Sequence, residues 1–210
     1  MIVAIYADYE IDKIAEAATD LISAITKETT HKAVKVTRQE LNSNKKIDWA
    51  SIDLILSLGG DGAVLGLARA LNGAPTVVVG VNFGKLGFLT AFTYSDITED
   101  IDKFLSEQSW KNIKPIMLRA QIKREGQLIA SDIALNEVVV ARGTTAGMVL
   151  LDCSVDDRFM TSYYADGLII STPVGSTAYN LAANGPILHQ SMKAIALLPQ
   201  FVHIALQHVP

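Results

Sequence analysis

The chain has 210 residues and a formal net charge of −4; half of its residues are hydrophobic and 19% are charged. This composition supplies enough apolar side chains for one large or two small folded domains and excludes a wholly disordered chain. The acidic balance argues against a nucleic-acid partner, and the single cysteine, Cys153, excludes an intramolecular disulfide and fits a reducing compartment. The first residues lack a signal-peptide pattern, and no apolar run is long enough to cross a membrane. We therefore expect a cytoplasmic protein that binds neither nucleic acid nor membrane.

The first half of the chain alternates predicted strands and helices. Short apolar runs predict strands, and apolar residues spaced by three and four predict helices. The expected strands are 2–7, 33–36, 53–58 and 76–81, and the expected helices cover 11–25, 63–71 and a segment capped by Ser95 with its apolar face at Ile97, Ile101, Phe104 and Leu105. The polar residues 38–48 are expected to form a loop. This order predicts an α/β domain with a Rossmann-like parallel sheet over residues 1–110.

A buried strand in this half ends in Gly59-Gly60-Asp61-Gly62. Glycines at a strand end allow close approach of a ligand, and the following helix start offers free N–H groups to phosphate. A carboxylate repels phosphate, so Asp61 makes sense there as a metal ligand or as the acceptor of a hydroxyl proton. The alternative is a tight turn in which Asp61 caps the helix. The spacing excludes the dinucleotide-binding and Walker A motifs.

A second glycine-bearing loop, residues 80–88, follows the next strand. Parallel strands end at the same edge of their sheet, so both loops are expected at the edge where such folds bind ligands. Lys85 could reach an anion there, although a lone lysine is more often a solvated charge.

The pattern changes near Trp110. Alternating apolar and polar residues predict strands near 116–124, 127–141, 147–156, 168–171 and 194–198. Glu125-Gly126 and Asp156-Asp157 are hairpin signals. We expect a mainly antiparallel β domain over residues 111–210, with the boundary near residues 108–113.

Two stretches of this half carry unusual chemistry. Asn136-Glu137 puts an amide and a carboxylate into an apolar strand context, where a ribose diol would suit them. The alternative is that Glu137 pairs with Arg119 or Arg142 across the sheet. Residues 165–180 run from a carboxylate beside glycine into four hydroxyl residues and Tyr179, which could bind a base. An ordinary Ser/Thr-rich turn remains the alternative there.

These residues together resemble the NAD kinase family, which phosphorylates the 2′-hydroxyl of the adenosine ribose of NAD. Four blocks match in family order: Gly59-Gly60-Asp61-Gly62; Gly80-Val81-Asn82 with Gly84-Lys85-Leu86-Gly87-Phe88; Asn136-Glu137; and Asp166-Gly167 leading to Gly175-Ser176-Thr177-Ala178-Tyr179. The first block alone also occurs in lipid kinases and phosphofructokinases, whereas all four in order are specific. His203 matches a further family position.

The resemblance implies a role for each matched position. Asp61 would be the catalytic carboxylate, with Gly60 and Gly62 near phosphates. The remaining implied contacts are to NAD: Asn82 and Phe83 line its site, Asn136 and Glu137 hold ribose hydroxyls, Asp166 contacts the nicotinamide end, and Thr177, Ala178 and Tyr179 frame the adenine.

The implied substrates are NAD and ATP, with Mg²⁺ or another divalent cation accompanying ATP and no metal ligand assigned to the chain. The family is typically homo-oligomeric, so a homo-oligomer is expected. Whether ATP or polyphosphate donates, and whether NADH is accepted, stays open.

The sequence departs from the family pattern in three places. Ala63 stands where the family usually has Thr. The family's Ser-Ala-Gly-Gly-Pro segment appears as Ala182-Ala183-Asn184-Gly185-Pro186, which loses another hydroxyl, and family members continue with further strands beyond the region of Pro210. We therefore expect the second domain to be incomplete at its C-terminus, and the chain to be oligomeric or aggregation-prone. A non-catalytic NAD-binding module and a lipid kinase are the alternative functions.

Overall fold

The computed structural model describes residues 1–43, 47–83, 87–107, 115–144 and 147–201. The chain divides into two compact units, an N-terminal unit, Met1–Lys114, and a C-terminal unit, Pro115–Pro210. The predicted boundary near residues 108–113 lies outside the described residues.

The N-terminal unit contains a five-stranded, fully parallel sheet in the order β2-β1-β3-β4-β5. Its strands are β1 (Ile2–Ala7), β2 (Lys32–Thr37), β3 (Leu54–Leu58), β4 (Val77–Asn82) and β5 (Phe92–Thr93). Its helices are α1 (Asp12–Glu28), α2 (Arg38–Asn42), a 3₁₀ turn (Trp49–Ser51), α3 (Asp61–Leu71), α4 (Tyr94–Thr98) and α5 (Ile101–Glu107).

Both faces of this sheet are buried, because successive side chains of a strand point to opposite faces. Val3 and Ile5 of β1 pack in a cluster that also contains Leu21 of α1 and Leu105 of α5. On the other face, Tyr6 packs in a second cluster that contains residues of β3 and α3. The predicted α/β layer with a parallel sheet is confirmed.

Two local predictions in this unit are wrong. The stretch predicted as loop begins with the helix α2, whose N-cap Thr37 and third residue Glu40 form a reciprocal capping box. Ser95 does not cap one continuous helix: Thr93 caps α4 in the same way with Asp96, and the predicted apolar face is divided between α4 and α5. The helix predicted over 63–71 ends at Leu71, as expected, because the following Asn72 has a left-handed backbone with φ of 46°.

The C-terminal unit contains three small antiparallel sheets among the described residues. They are the hairpins β6 (Leu118–Arg124) with β7 (Gln127–Ala134) and β9 (Val149–Val155) with β10 (Arg158–Ala165), and the sheet of β8 (Glu137–Ala141), β11 (Gly167–Ser171) and β12 (Ala196–Gln200). A 3₁₀ turn (Gly175–Thr177) and α6 (Tyr179–Ala182) follow β11. The predicted antiparallel β character is confirmed.

The single strand predicted over 127–141 is instead two strands, β7 and β8. The break falls at Leu135 and Asn136, whose carbonyl groups accept hydrogen bonds from the side chain and the backbone of Thr172. The strand therefore leaves its first partner, β6, and continues beside β11.

Among the residues described above, no helix combines the length and the apolar character that crossing a lipid bilayer requires.

Candidate functional site

The loop between β3 and α3 holds Asp61 at the start of a helix. Gly59 has a positive φ of 153°, and its N–H donates to the carbonyl oxygen of Val81 at 2.9 Å. Gly60 is the N-cap of α3, and Asp61 is its first helical residue. The alternative in which Asp61 caps the helix is therefore wrong. Its side chain has other partners.

The carboxylate of Asp61 is bound by the loop that precedes β5. Oδ2 accepts from the backbone N–H of Phe88 at 2.9 Å, and Oδ1 accepts from the backbone N–H of Leu89 at 3.0 Å. The hydroxyl of Thr90 lies 3.3 Å from Oδ1. Three donors thus orient one carboxylate. A carboxylate has about four lone-pair positions, so this arrangement leaves acceptor capacity for a substrate hydroxyl on Oδ2.

A cleft of about 630 Å³ opens beside this loop, within the N-terminal unit. It lies where β1 and β3 end, and the strand order reverses between these two strands. In open α/β sheets, ligands bind at such a reversal, outside the carboxyl ends of the strands. The cleft is lined by the backbone of Gly59 and Gly60 and by two cationic residues, Arg38 and Arg69. The N-terminus of α3 and two guanidinium groups beside one cleft suit an anionic ligand.

Asp8 and Arg38 form an ion pair in this cleft, with 2.9 Å between Oδ2 and an Nη atom. The hydrogen bond from Arg38 lowers the pKa of the Asp8 carboxyl, and Asp8 in turn raises the pKa of Arg38. The pair keeps the guanidinium charged and oriented beside the glycine loop. Sequence reasoning missed Asp8, Arg38 and Arg69, because only the strand order brings them to one cleft.

The predicted NAD-site residues Asn82 and Phe83 line a second cleft of the same unit, of about 480 Å³. Asn82 is only 6% exposed, and its Nδ2 donates to the hydroxyl of Thr90 at 3.2 Å. The ring of Phe83 packs on that of Tyr94, with 5.1 Å between centroids. Lys85 lies outside the described residues.

In the C-terminal unit, Asn136 and Glu137 present two buried oxygen atoms that need donors. Among the described residues, none donates to Asn136 Oδ1 or to Glu137 Oε2. Burial raises the pKa of Glu137, and the backbone N–H of Tyr179 lowers it only in part. Glu137 forms no ion pair with any described residue. Arg142, one of its two predicted partners, pairs with Asp166 at 2.9 Å. The predicted salt-bridge alternative for Glu137 therefore lacks support in the described part of the chain.

The turn after β11 packs directly on Asn136. A β-carbon at Gly175 would overlap the backbone carbonyl group of Asn136, so only glycine fits there. Thr172 holds the turn from the other side, because its hydroxyl donates to Leu135 and accepts from the N–H of Gly175 at 3.0 Å. The structure thus brings together the two stretches predicted to carry unusual chemistry in this half, Asn136-Glu137 and residues 165–180.

The remaining predicted residues lie on this turn and at its base. Thr177 donates to the carbonyl oxygen of Val174 at 3.2 Å, and the hydroxyl of Tyr179 accepts from Gln200 at 2.8 Å. Tyr179 is 45% exposed, so its ring can contact a ligand. Ala178 is half-buried and precedes α6. Asp166 is held by Arg142, and His203 lies outside the described residues.

Comparison with known proteins identifies the chain. The family model of the ATP-NAD kinase N-terminal domain matches residues 2–109, and that of the ATP-NAD kinase C-terminal domain matches residues 135–209. The chain belongs to the NAD kinase family.

Curated NAD kinases are similar in sequence over most of this chain. That of Hahella chejuensis is 41% identical over 161 residues, which are 77% of this chain and 54% of the relative. That of Paraburkholderia phymatum is 44% identical over 154 residues, 73% of this chain and 51% of the relative. The chain thus spans about half the length of these relatives.

Two solved structures share the fold. Yeast NADH kinase complexed with NADH superposes with a TM-score of 0.73 at 23% identity, over 99% of this chain and 64% of the other. An NAD kinase from Archaeoglobus fulgidus in complex with ATP superposes with a TM-score of 0.61 at 23% identity, over 95% of this chain and 72% of the other.

Proposed function

We propose that this NAD kinase family chain transfers the γ-phosphate of ATP to the 2′-hydroxyl of the adenosine ribose of NAD, giving NADP. The observation that carries the proposal is the anchored carboxylate of Asp61, with spare acceptor capacity on Oδ2 beside a glycine loop. Phosphoryl transfer needs a positioned hydroxyl, neutralised phosphates and a carboxylate to receive the proton. Asp61 accepts that proton in this proposal.

The other residues bind and orient the two substrates. Gly60 and Gly62 lie beside phosphates; a β-carbon at either would meet no atom within 4 Å, so the loop leaves room for them. Asn136 and Glu137 accept hydrogen bonds from ribose hydroxyls, which would satisfy their two buried oxygens. Thr177, Ala178 and Tyr179 frame the adenine, Asn82 and Phe83 line the NAD site, and Asp166 contacts the nicotinamide end.

The proposed reaction uses Mg²⁺ or another divalent cation, which neutralises phosphate charge when bound. Within the described residues, no three His, Cys, Asp or Glu side chains lie together as a metal-binding group. In this proposal the phosphates of ATP carry the cation.

We also propose that residues 1–110 and 111–210 are the two functional domains. The two compact units and the separate matches to an N-terminal and a C-terminal family domain support this division. The single cysteine, which fits a reducing compartment, supports a cytoplasmic enzyme.

We propose that the chain forms a homo-oligomer through the exposed apolar surface of the C-terminal unit. Leu150 is 65% exposed and Phe159 is 66% exposed, on the paired strands β9 and β10. Exposed apolar side chains on a strand pair favour association with another chain. Sedimentation velocity of the wild type and of Phe159→Ser tests this: a concentration-dependent oligomer that Phe159→Ser weakens supports it, and a wild-type monomer contradicts it.

The decisive experiment incubates purified chain with NAD, ATP and Mg²⁺ and assays NADP with an NADP-specific dehydrogenase. NADP formation that Asp61→Asn abolishes supports the proposal. The same assay with polyphosphate in place of ATP identifies the phosphoryl donor. With NADH in place of NAD, it identifies the acceptor. NAD binding without turnover in the wild type favours a non-catalytic NAD-binding module, to which the missing hydroxyls at Ala63 and Ala182 point.

A further inference from the structure

The hydroxyl of Thr90 is a buried junction between two of the predicted site residues. Thr90 is fully buried, and its Oγ1 lies 3.2 Å from Nδ2 of Asn82, 3.1 Å from the backbone nitrogen of Gly87 and 3.3 Å from Oδ1 of Asp61. Sequence reasoning assigned no role to this residue.

The direction of these hydrogen bonds follows from counting protons. A hydroxyl carries one proton and two lone pairs. Asn82 Nδ2 and the N–H of Gly87 are both donors, so they occupy the two lone pairs of Oγ1. The single hydroxyl proton is then directed at Asp61 Oδ1, which is the acceptor in the group. Thr90 thus donates to the carboxylate, and Asn82 fixes the direction in which it donates.

We propose that Thr90 is a positioning residue for the carboxylate of Asp61 and links its orientation to the placement of Asn82. This inference rests on the proposed kinase function. The Thr90 hydroxyl and the two backbone N–H groups of Phe88 and Leu89 hold the carboxylate from three directions. Without the hydroxyl, the carboxylate keeps the two backbone donors, and Oδ1 loses one of its two hydrogen bonds.

The alternative is that Thr90 only fills space. Its methyl group packs on the backbone of β4, since a β-carbon at Gly80 would lie 2.9 Å from Thr90 Cγ2. The chemical and packing roles therefore reside in different atoms of one side chain, and two substitutions separate them. Thr90→Ser keeps the hydroxyl and removes the methyl, and Thr90→Val keeps the shape and removes the hydroxyl.

Steady-state NADP formation is measured for the wild type, Thr90→Ser and Thr90→Val. We expect kcat of Thr90→Val to fall about 100-fold, the loss typical of a reacting group misplaced by about 1 Å, with a much smaller change in KM for NAD. Thr90→Ser should retain kcat within about threefold, since the positioning hydroxyl is preserved. An unchanged kcat in Thr90→Val, or an equal loss in both variants, would overturn the proposal.

The double variant Asp61→Asn/Thr90→Val tests whether Thr90 acts through Asp61. Residues that act through one another are strongly non-additive. We expect Thr90→Val to lower kcat less than about threefold in the Asp61→Asn background. The full single-variant loss in that background would show that Thr90 acts independently and would overturn the proposal.

Amide hydrogen exchange at Phe88 and Leu89 supplies a readout that does not depend on activity. Their N–H groups donate to the Asp61 carboxylate, so a loosened carboxylate exposes them to exchange. We expect faster exchange at both amides in Thr90→Val and wild-type exchange in Thr90→Ser. If the wild type forms no NADP, the kinase proposal fails, and exchange alone decides the positioning: unchanged exchange in Thr90→Val overturns it, and selective acceleration supports it.

Discussion

Gly87 lies directly against the carboxylate of Asp61, so close that a β-carbon at position 87 would overlap Oδ1. The same added carbon would also lie 2.7 Å from the hydroxyl oxygen of Thr90. The two residues following Gly87 donate their backbone N–H groups to this carboxylate. Glycine at position 87 therefore lets the loop approach closely enough to hold Asp61, and the loop and the carboxylate form one assembly.

Gly87→Ala should lower kcat for NADP formation by about 100-fold, because the new methyl group displaces a carboxylate that must be placed within about 1 Å. The fold should survive, since the overlap concerns a loop outside the strands. Steady-state kinetics and denaturant unfolding measure the two effects.

The comparison for the unfolding measurement is Gly66→Ala in the interior of α3, where an added β-carbon meets no atom within 4 Å. It should raise the free energy of unfolding by about 0.5–1 kcal/mol, the helix preference of alanine over glycine. Wild-type turnover in Gly87→Ala would show that the carboxylate tolerates displacement and that its contact with the loop has no catalytic importance.

Asp61→Asn should lower turnover by at least about 100-fold, the usual effect of losing a general base. The amide also turns an NH₂ group toward one of the N–H groups of Phe88 and Leu89, so part of the loss comes from a loosened loop. The affinity for NAD, measured by calorimetry, should change far less than kcat. Near-normal turnover would exclude Asp61 as the proton acceptor.

Local sequence signals explain why much of the fold was predicted correctly. The apolar runs that end in glycine became the central strands β3 and β4, which are buried on both faces. The helix α2 was missed although Thr37 and Glu40 carry the capping-box spacing, because five mostly polar residues give no apolar periodicity. The capping-box spacing of Thr37 and Glu40 is the sequence signal that indicates this helix.

Contacts between distant positions explain what could not be predicted. Asp61 was singled out by its glycines, but its partners Phe88 and Leu89 lie 27 and 28 residues away. The cleft with Arg38 and Arg69 depends on strand order, which local patterns do not determine. The break of the predicted strand 127–141 similarly depends on Thr172, whose hydrogen bonds to Leu135 and Asn136 join positions far apart in sequence.

Glu137→Gln should weaken NAD binding by about 1–3 kcal/mol, the cost of losing a charge-assisted hydrogen bond to a ligand hydroxyl. The reason is that Glu137 Oε2 is buried and has no donor among the described residues, so a ribose hydroxyl would satisfy it. Calorimetric titration with NAD measures the change.

Glu125→Gln is the matched control for this binding experiment, since it makes the same chemical change at an exposed hairpin turn between β6 and β7. It should leave NAD affinity unaltered. Equal affinities of the wild type and a folded Glu137→Gln variant would remove Glu137 from the proposed ribose site.

The same substitution should alter how stability depends on pH in the absence of NAD. Burial raises the pKa of Glu137 above its ordinary value of 4.5, and the nearby N–H of Tyr179 offsets this only in part. Between the ordinary and the raised pKa, the folded chain holds this proton while the unfolded chain has lost it. The contribution of Glu137 to the free energy of unfolding is therefore fully present below the ordinary pKa and decreases as pH rises through the raised one.

Glutamine at position 137 does not titrate, so the free energy of unfolding of Glu137→Gln relative to the wild type should increase as pH rises from 4 toward about 7. Urea unfolding of both proteins at closely spaced pH values measures this difference. A constant difference would show that folding does not shift the pKa of Glu137. A difference that decreases with rising pH would show that its carboxylate is stabilised in the folded chain, as the ion pair predicted as its alternative role would require.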